Sequence, residues 1–468
     1  MHLIDYSILV AYLVGLLLLG FRKRIGESTS AGELILAGRH LTMPAFALSL
    51  VSTWYGGILG VGEYSYRFGL SNWLVFGLPY YLAAALFAVF LAKKARAAQV
   101  LTIPERLAQV YDNKTALAGA VIIYLVTVPG AYVLSIGVLC EQILGIPFWA
   151  GVIGGSLFSI VYVYLGGFSS VVRTDIFQTI CMFLGFVVLF VFLTLKYGGY
   201  EFLSSHLPAN HLTWHGGRSG WYIVTWYVIA LMTLAEPAFY QRCYAAKTPE
   251  AARNGIYLSI AMWACFDFLT TSCGLYARAL LPDLADPVSS FPTLAVKLMP
   301  VGILGFFVLG MMTTVQSTVD SYFFIAASTF GNDIIGRAKR LSASDVVRYT
   351  RIGLILSAVV AVIFVFIFRS VVDIWYAFGS VATPALIVPV FFSLVGKYRM
   401  PATTTFWTII LSGSVSLVWY LSQFWNGGDY WFGLAPIFPG LALSLGVFGV
   451  TLRNADPNSE RFDRPTSH

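Results

Sequence analysis

Charge is the scarcest feature of this sequence. Charged residues make up only 11% of its 468 residues, whereas hydrophobic residues make up 58%. Soluble globular proteins carry about 25% charged and about 45–50% apolar residues, so the composition excludes a soluble enzyme and a disordered chain. The mean hydropathy of +0.77 and the 12 Trp and 36 Phe residues instead favour a protein that faces lipid, with aromatic residues at the membrane interfaces.

Cysteine and catalytic motifs are also scarce. The five cysteines form no CxxC pair, and we interpret them as small buried hydrophobic side chains rather than metal or redox groups. They are Cys140, Cys181, Cys243, Cys265 and Cys273. The sequence contains no HExxH or GxSxG motif, so we do not expect an intramembrane enzyme.

Long apolar runs, by contrast, fill the chain. A membrane span needs about 20 mainly apolar residues, and the sequence predicts thirteen such helices with short loops between them. We place them at 3–21, 43–68, 73–92, 115–144, 148–166, 171–195, 221–244, 256–277, 301–332, 352–368, 372–395, 403–424 and 430–452. The result is a single all-α transmembrane domain.

The basic residues predict an orientation for these spans. With thirteen spans, 23 of the 29 Lys and Arg residues fall on one side of the membrane, and the positive-inside rule makes that side cytoplasmic. We therefore expect an outside N-terminus and a cytoplasmic C-terminus, in a plasma membrane such as the bacterial inner membrane. The net charge of +7 then reflects this bias and does not indicate a nucleic-acid partner.

Two predicted spans contain residues that interrupt helices. Residues 56–62 of the second span include four glycines, and Pro237 follows Glu236 directly in the seventh. Proline removes a backbone donor and disfavours helix in the residue before it. Interrupted helices in corresponding positions of two halves are typical of transporters with inverted repeats, and a spacing of five spans fits a five-plus-five repeat.

Acidic and hydroxyl side chains also lie inside the predicted spans. Intramembrane acids are hypotheses of function by default, and here we single out Glu63, Asp175, Glu236, Asp267 and Asp320. The roles of Glu63, Asp267 and Asp320 stay open. In the ninth span, residues 313–320 carry Thr313, Thr314, Gln316, Ser317, Thr318 and Asp320. Oxygen ligands of this kind suit a hard cation such as sodium, although hydroxyls can also bond back to the preceding helical turn.

Four segments resemble the sodium:solute symporter family. They are LAGRHLTMPAFALSLVST, GGFSSVVRTDIFQ, EPAFYQRCYAAKTPEAARNG and MTTVQSTVDS, and they occur in the family's order and spacing. The resemblance covers nearly the whole chain. It implies a LeuT-type fold with one extra N-terminal helix and two extra C-terminal helices. The corresponding divisions are 1–42, a first repeat at 43–196, a second repeat at 220–396, the C-terminal helices at 402–452, and a cytoplasmic tail at 453–468.

The resemblance also implies ion sites. A co-transported sodium ion would bind the carbonyls of Ser52, Tyr55 and Gly310 and the hydroxyls of Thr313 and Thr314. Some family members bind a second sodium ion, which here would involve Asp175 and Ser317. In that second set, Gln316 stands where the family pattern has a hydroxyl.

The solute is expected at the break in the second span. By position, Trp54, Gly56 and Leu59 would face it, and the segment STWYGG is similar to the choline-transporter branch. Trp54 with Trp226 or Tyr227 could then form part of an aromatic cage for an amine, with Glu236 adding negative charge. Other small organic solutes stay open at this point.

The function implied is sodium-coupled import of a small organic solute by alternating access, with the solute, sodium and the lipid bilayer as partners. One alternative is a membrane sensor built on a symporter-like core, which would need a partner protein because the tail of about 16 residues is too short for a signalling domain. Another is coupling to protons. The oligomeric state is left open.

Overall fold

The protein is almost entirely helical. The computed structural model describes residues 1–21, 30–339, 341–368, 370–396 and 398–454. The expected tail from residue 455 and the basic residues 22–24 therefore lie outside the described residues. Two short antiparallel strands, β1 (Tyr398–Arg399) and β2 (Arg453–Asn454), pair with each other.

Twenty-one α-helices make up the described chain. The first eleven are α1 Leu3–Gly20, α2 Ala31–Leu36, α3 Met43–Trp54, α4 Ile58–Phe68, α5 Leu78–Phe90, α6 Ala92–Ala97, α7 Ile103–Val110, α8 Asn113–Thr127, α9 Gly130–Leu139, α10 Phe148–Tyr197 and α11 Tyr200–His206. The others are α12 Gly220–Ala230, α13 Pro237–Ala245, α14 Pro249–Leu280, α15 Ser290–Leu298, α16 Ile303–Ser328, α17 Gly336–Lys339, α18 Ala343–Ile367, α19 Val371–Leu394, α20 Ala402–Leu421 and α21 Ile437–Thr451.

Shorter helical turns join several of these helices. The 3-10 segments are Ala37–Arg39, Ala209–Leu212, Leu231–Ala235, Pro287–Ser289, Ser422–Phe424 and Trp431–Gly433. The π-helical segments are Trp73–Gly77, Cys140–Leu144 and Thr329–Ile335.

The number of membrane-crossing helices differs from the thirteen expected. Among the described residues, ten helices are long and apolar enough to cross a bilayer, and eleven if the bent pair α3/α4 is one span. The expected last span is represented by the 15-residue α21, which is short for a bilayer core. The expected fifth and sixth spans both lie within α10. A count of thirteen is therefore not confirmed.

The helix α10 contains a sharp change of backbone direction. Its 50 residues would extend about 75 Å as one straight helix, far more than a hydrocarbon core of about 30 Å. Gly167 interrupts it with φ of 55° and ψ of −154°, a conformation open to glycine but unfavourable for other residues. The residues on either side of Gly167 are thus two helical segments, which matches the boundary expected between 148–166 and 171–195.

The first predicted interruption is present as a broken helix. α3 and α4 meet at an angle of 62°, and residues 55–57 between them are not helical. Close packing explains why glycine occupies both positions. A Cβ on Gly56 would overlap the side chain of Thr318, and a Cβ on Gly57 would overlap the indole of Trp375. The glycines let two other helices approach the break closely.

The second predicted interruption is present as well. After α12 the chain tightens into the 3-10 segment Leu231–Ala235, and Glu236 then takes an extended conformation with ψ of 116°. Pro237 is the first residue of α13, where its missing N–H and fixed φ are tolerated. The Glu236–Pro237 pair therefore ends one helical segment and starts the next.

The helix α16 lies at the centre of the molecule, and nearly all of its side chains are buried. It packs closely on α10, since a Cβ on Gly310 would come within 2.9 Å of the Gly185 Cα atom. Its N-terminus is capped from outside by Asp5 of α1, whose Oδ1 accepts hydrogen bonds from the backbone of Gly302 at 2.8 Å and Gly305 at 2.9 Å. The first helix is thereby fixed to the central one.

Candidate functional site

A cavity lies where the two broken helices meet. The free space within it, including the part that is open to solvent, is about 1060 Å³. Aromatic, aliphatic and acidic residues line it. They are Trp54, Tyr55, Gly57, Val61, Phe76, Tyr80, Val126, Val128, Ala131, Tyr132, Ile229, Met232, Glu236, Asp267, Tyr322, Ile374, Trp375, Phe378 and Gly379.

Glu236 enters this cavity from the second break. Its Oε1 accepts a hydrogen bond from the backbone of Ala238 at 3.3 Å and another from the Tyr322 hydroxyl at 3.0 Å. The side chain thus caps the N-terminus of α13, which is a favourable position for a carboxylate. Both recorded hydrogen bonds to this carboxyl use Oε1.

Asp267 of α14 is the second acid in the cavity. Its two oxygens accept hydrogen bonds from the hydroxyls of Tyr55 and Tyr81, and Tyr55 is also within 2.8 Å of the Thr270 hydroxyl. Because Tyr55 belongs to the first break, Asp267 ties that break to α14. The sequence identified this acid without assigning it a role.

Only two of the six residues expected to contact the solute line the cavity, namely Trp54 and Glu236. Gly56 lies against Thr318, and Leu59 is fully buried in the hydrophobic core. Trp226 lies against Phe76 with the ring centroids 4.6 Å apart.

Tyr227 packs on the edge of a neighbouring apolar cluster. The lining of the cavity therefore differs from the aromatic pair that the sequence suggested, and Phe76, which Trp226 contacts, lines it instead.

The residues expected at the first sodium site lie on two segments, 52–55 at the end of α3 and 310–314 in α16. The hydroxyls of Thr313 and Thr314 donate to the Gly310 carbonyl at 2.9 and 2.6 Å. These are bonds to the preceding turn of the same helix, the alternative considered from the sequence. The Ser52 carbonyl at the end of α3 accepts hydrogen bonds from Ser317 at 3.0 Å and Thr318 at 3.2 Å.

Asp175 has a different environment from the one expected. The guanidinium of Arg242 donates to its Oδ2 at 3.1 Å, and both side chains are fully buried. Ser49 also donates to Oδ2 at 2.5 Å. Arg242 further donates to Thr53 at 2.7 Å and Ser321 at 2.8 Å. No described residue makes a hydrogen bond to Asp175 Oδ1.

The other two residues of the expected second sodium site make their hydrogen bonds elsewhere. Gln316 donates to Ser159 at 2.5 Å and to Asp320 Oδ1 at 3.0 Å, and Asp320 Oδ2 accepts from Tyr162. Ser317 donates to the Ser52 carbonyl. Asp320, whose role the sequence left open, thus belongs to a buried network between α10 and α16.

Several residues of the site were missed by sequence reasoning. Arg242 lies in a predicted span and within a quoted motif, and its charge inside the membrane was the available signal. Trp375 and Tyr132 had no such signal, because aromatic residues are 16% of the chain. Glu63 forms an ion pair with Arg67 at 3.2 Å one helical turn away and does not line the cavity.

The fold is that of secondary transporters. A solved structure of a Na+-coupled sialic acid symporter, in a substrate-bound outward-open state, superimposes with a TM-score of 0.79 at 18% identity, covering 97% of this chain and 99% of that one. At this identity the likeness establishes the fold, which is LeuT-type as expected.

The sequence matches the profile of the Sodium:solute symporter family over residues 34–412, and the chain belongs to that family. It is 24% identical to the sodium/pantothenate symporter of Haemophilus influenzae, over 74% of this chain and 76% of the relative. It is also 24% identical to a sodium/proline symporter of Staphylococcus aureus, over 94% and 90% of the two chains. The protein is a multi-pass membrane protein that couples solute transport to sodium, and it is not an enzyme.

Proposed function

We propose that the cavity at the two helix breaks binds the imported solute, with Trp54 and Glu236 in its wall. The observation that carries this proposal is the meeting of both breaks at one cavity. Transporters with inverted repeats bind their substrates between discontinuous helices near the middle of the membrane. Gly56, Leu59, Trp226 and Tyr227, which do not line this cavity, are in our proposal supports of its wall rather than solute contacts.

The co-transported sodium ion, in this proposal, binds between the end of α3 and the hydroxyl face of α16. Its ligands are the carbonyls of Ser52, Tyr55 and Gly310 and the hydroxyls of Thr313 and Thr314. The hydrogen bonds from Ser317 and Thr318 to Ser52 support the proposal, since they hold these two segments together. Sodium binding here stabilises the state that accepts the solute, because coupling requires different affinities for the two states.

We further propose that one sodium ion is transported per cycle. A second ion at Asp175, Ser317 and Gln316 would compete with Arg242 for the carboxylate. Gln316 would also have to leave Asp320. Cooperative sodium dependence of transport, with a Hill coefficient clearly above one, would contradict this stoichiometry.

The two helical repeats, 43–196 and 220–396, are proposed to rearrange around the cavity during alternating access. The N-terminus is proposed to lie outside and the C-terminus in the cytoplasm of a plasma membrane, on the basis of the distribution of Lys and Arg. Labelling of single engineered cysteines by a membrane-impermeant reagent in intact cells tests the orientation. Labelling of residue 205 without labelling of residue 113 is the expected result, and the opposite pattern would contradict it.

Uptake in proteoliposomes tests the sodium site. Replacing external sodium by potassium should abolish uptake, and Thr313→Ala with Thr314→Ala should lower the apparent sodium affinity by about tenfold or more. The matched control is Thr405→Ala with Thr408→Ala, because these threonines bond back to Pro401 at 3.0 Å and Thr404 at 2.8 Å in the same way but lie on α20. Equal losses in the two double variants would remove the hydroxyls from the sodium site.

A further inference from the structure

Among the described residues that line the cavity, there are acidic side chains but no basic ones. Two carboxyl groups, those of Glu236 and Asp267, line it, and no lysine, arginine or histidine of the described chain does. The hydrogen-bond donors to these carboxyls are the hydroxyls of Tyr322, Tyr55 and Tyr81 and the backbone of Ala238, all of which are neutral. A carboxylate in a desolvated site is strongly stabilised by a cation.

The basic side chain near Glu236, that of Arg242, already has partners within the protein. Arg242 lies on α13 with Glu236, but its guanidinium is bound to Asp175, Thr53 and Ser321. The other ion pairs recorded among the described residues join Arg67 to Glu63, Lys93 to Glu250 and Arg337 to Asp333. Neither cavity acid takes part in them, so within the described part of the chain the two cavity carboxyls have no ion-pair partner.

Aromatic rings form another part of the cavity wall. Trp54 and Tyr80 meet at 64° with ring centroids 5.9 Å apart, and Tyr132 meets Tyr322 at 60° and 5.5 Å. Trp375 lies 6.4 Å from Tyr132. A cation held against the face of such a ring gains about 2 kcal/mol or more when desolvated.

One helix N-terminus that could bind an anion at the cavity is occupied by the protein itself. A helix N-terminus is the usual site for a carboxylate of a transported solute. The N-terminus of α13 is capped by the Glu236 side chain. A solute with a free carboxylate would also meet the carboxyl groups of Glu236 and Asp267, and among the described residues no basic side chain lines the cavity to balance it.

We propose that the transported solute is an organic ammonium cation without a free carboxylate, held by the Glu236 carboxylate and the rings of Trp54 and Tyr80. This inference rests on the proposed location of the solute site. Protonated amines and quaternary amines share the recognised chemistry. They differ in that only an N–H group can donate a hydrogen bond to Glu236 Oε2.

Thermal stability of the purified full-length protein tests the proposal, measured in sodium chloride and in potassium chloride. The probes are choline and phenethylamine, a quaternary and a protonated amine. Their counterparts with a carboxylate are glycine betaine and phenylalanine, and the neutral tert-butyl analogue of choline keeps its shape without its charge. We expect one or both ammonium probes to raise the unfolding temperature, only when sodium is present, and the other three compounds to have no effect.

Variants connect the binding to the named residues. Glu236→Gln should weaken binding of the ammonium probe by about ten- to hundredfold, as expected for loss of a charged hydrogen-bond partner, and Trp54→Leu should weaken it as well. Glu63→Gln is the matched control, because Glu63 is on a neighbouring helix but pairs with Arg67 outside the cavity. Stabilisation of Glu236→Gln by sodium alone shows that this variant is folded.

The outcomes separate this inference from the proposed function. Sodium-dependent stabilisation by betaine, phenylalanine or the neutral analogue would leave the solute site intact and overturn the charge assignment. Failure of both ammonium probes to stabilise the protein in sodium would overturn it too. Binding of an ammonium probe that is the same in sodium and potassium, and insensitive to Glu236→Gln, would instead contradict the proposed location of the solute site.

Discussion

Asp175 and Asp267 are both buried aspartates on membrane helices, but the groups around their carboxyls differ in charge. Asp175 on α10 receives the guanidinium of Arg242, and that pair is fully shielded from solvent. Asp267 on α14 receives only the hydroxyls of Tyr55 and Tyr81. The comparison separates two uses of a buried acid. One is neutralised by a basic side chain and holds helices together, whereas the other lines a cavity and has only neutral hydrogen-bond partners.

The largest expected effect is that of Asp175→Asn on stability. The change leaves the Arg242 guanidinium buried without its counter-charge, and breaking a buried pair in this way costs about 3–5 kcal/mol. The thermal midpoint of unfolding in detergent measures it. Adding Arg242→Gln to Asp175→Asn should restore part of the loss, and an additive loss in the double variant would show that the two side chains do not act as a pair.

The same substitution at the other aspartate sharpens the contrast. Asp267→Asn keeps an oxygen acceptor for one of the two tyrosine hydroxyls and presents an NH2 group to the other. It leaves no opposite charge unpaired, so the loss should be only about 1 kcal/mol, the contribution of an ordinary hydrogen bond. The two Asn variants are compared in the same melting experiment. A loss at Asp267 as large as that at Asp175 would remove the distinction drawn above.

The smallest effect concerns a buried histidine outside the spanning helices. His211 lies between α11 and α12, its ring Nε2–H donates to the Tyr66 carbonyl at 2.9 Å, and burial lowers its pKa. Because the unfolded chain takes up a proton near pH 6.5 and the folded chain only at lower pH, stability should fall as pH drops below about 6.5. Melting curves against pH measure this loss.

A His211→Gln variant should show a weaker pH dependence over that range. His206→Gln is the matched control, since His206 is an exposed histidine at the end of the preceding helix α11. A pH dependence unchanged by His211→Gln would contradict the role given to burial.

The parts of the fold that depend on local chemistry were predictable. The four glycines at 56–62 and the Glu236–Pro237 pair marked both breaks, since glycine and proline act on the backbone of their own segment. The membrane class followed from composition. The boundary within α10 was also found, because Gly167 separates two apolar runs of spanning length.

Contacts between distant segments could not be read in the same way. Arg242 and Asp175 are 67 residues apart, and the sequence around either residue does not indicate that the two side chains pair. Trp226 was placed at the solute by its residue type, but it packs against Phe76, and Phe76 is the residue that lines the cavity. The expected sodium ligands came from resemblance to a family and not from spacing, and the contacts of Gln316 with Ser159 and Asp320 depend on how α10 and α16 pack.

Asp5 has a practical consequence for following the transport cycle. Its carboxylate joins α1 to the start of α16, the helix that carries Thr313 and Thr314. The beginning of α16 can therefore shift only together with the beginning of α1, unless the two hydrogen bonds break. A spectroscopic label attached near Asp5 on the exposed face of α1 would report displacements of the central helix from a position that neither ion nor solute contacts.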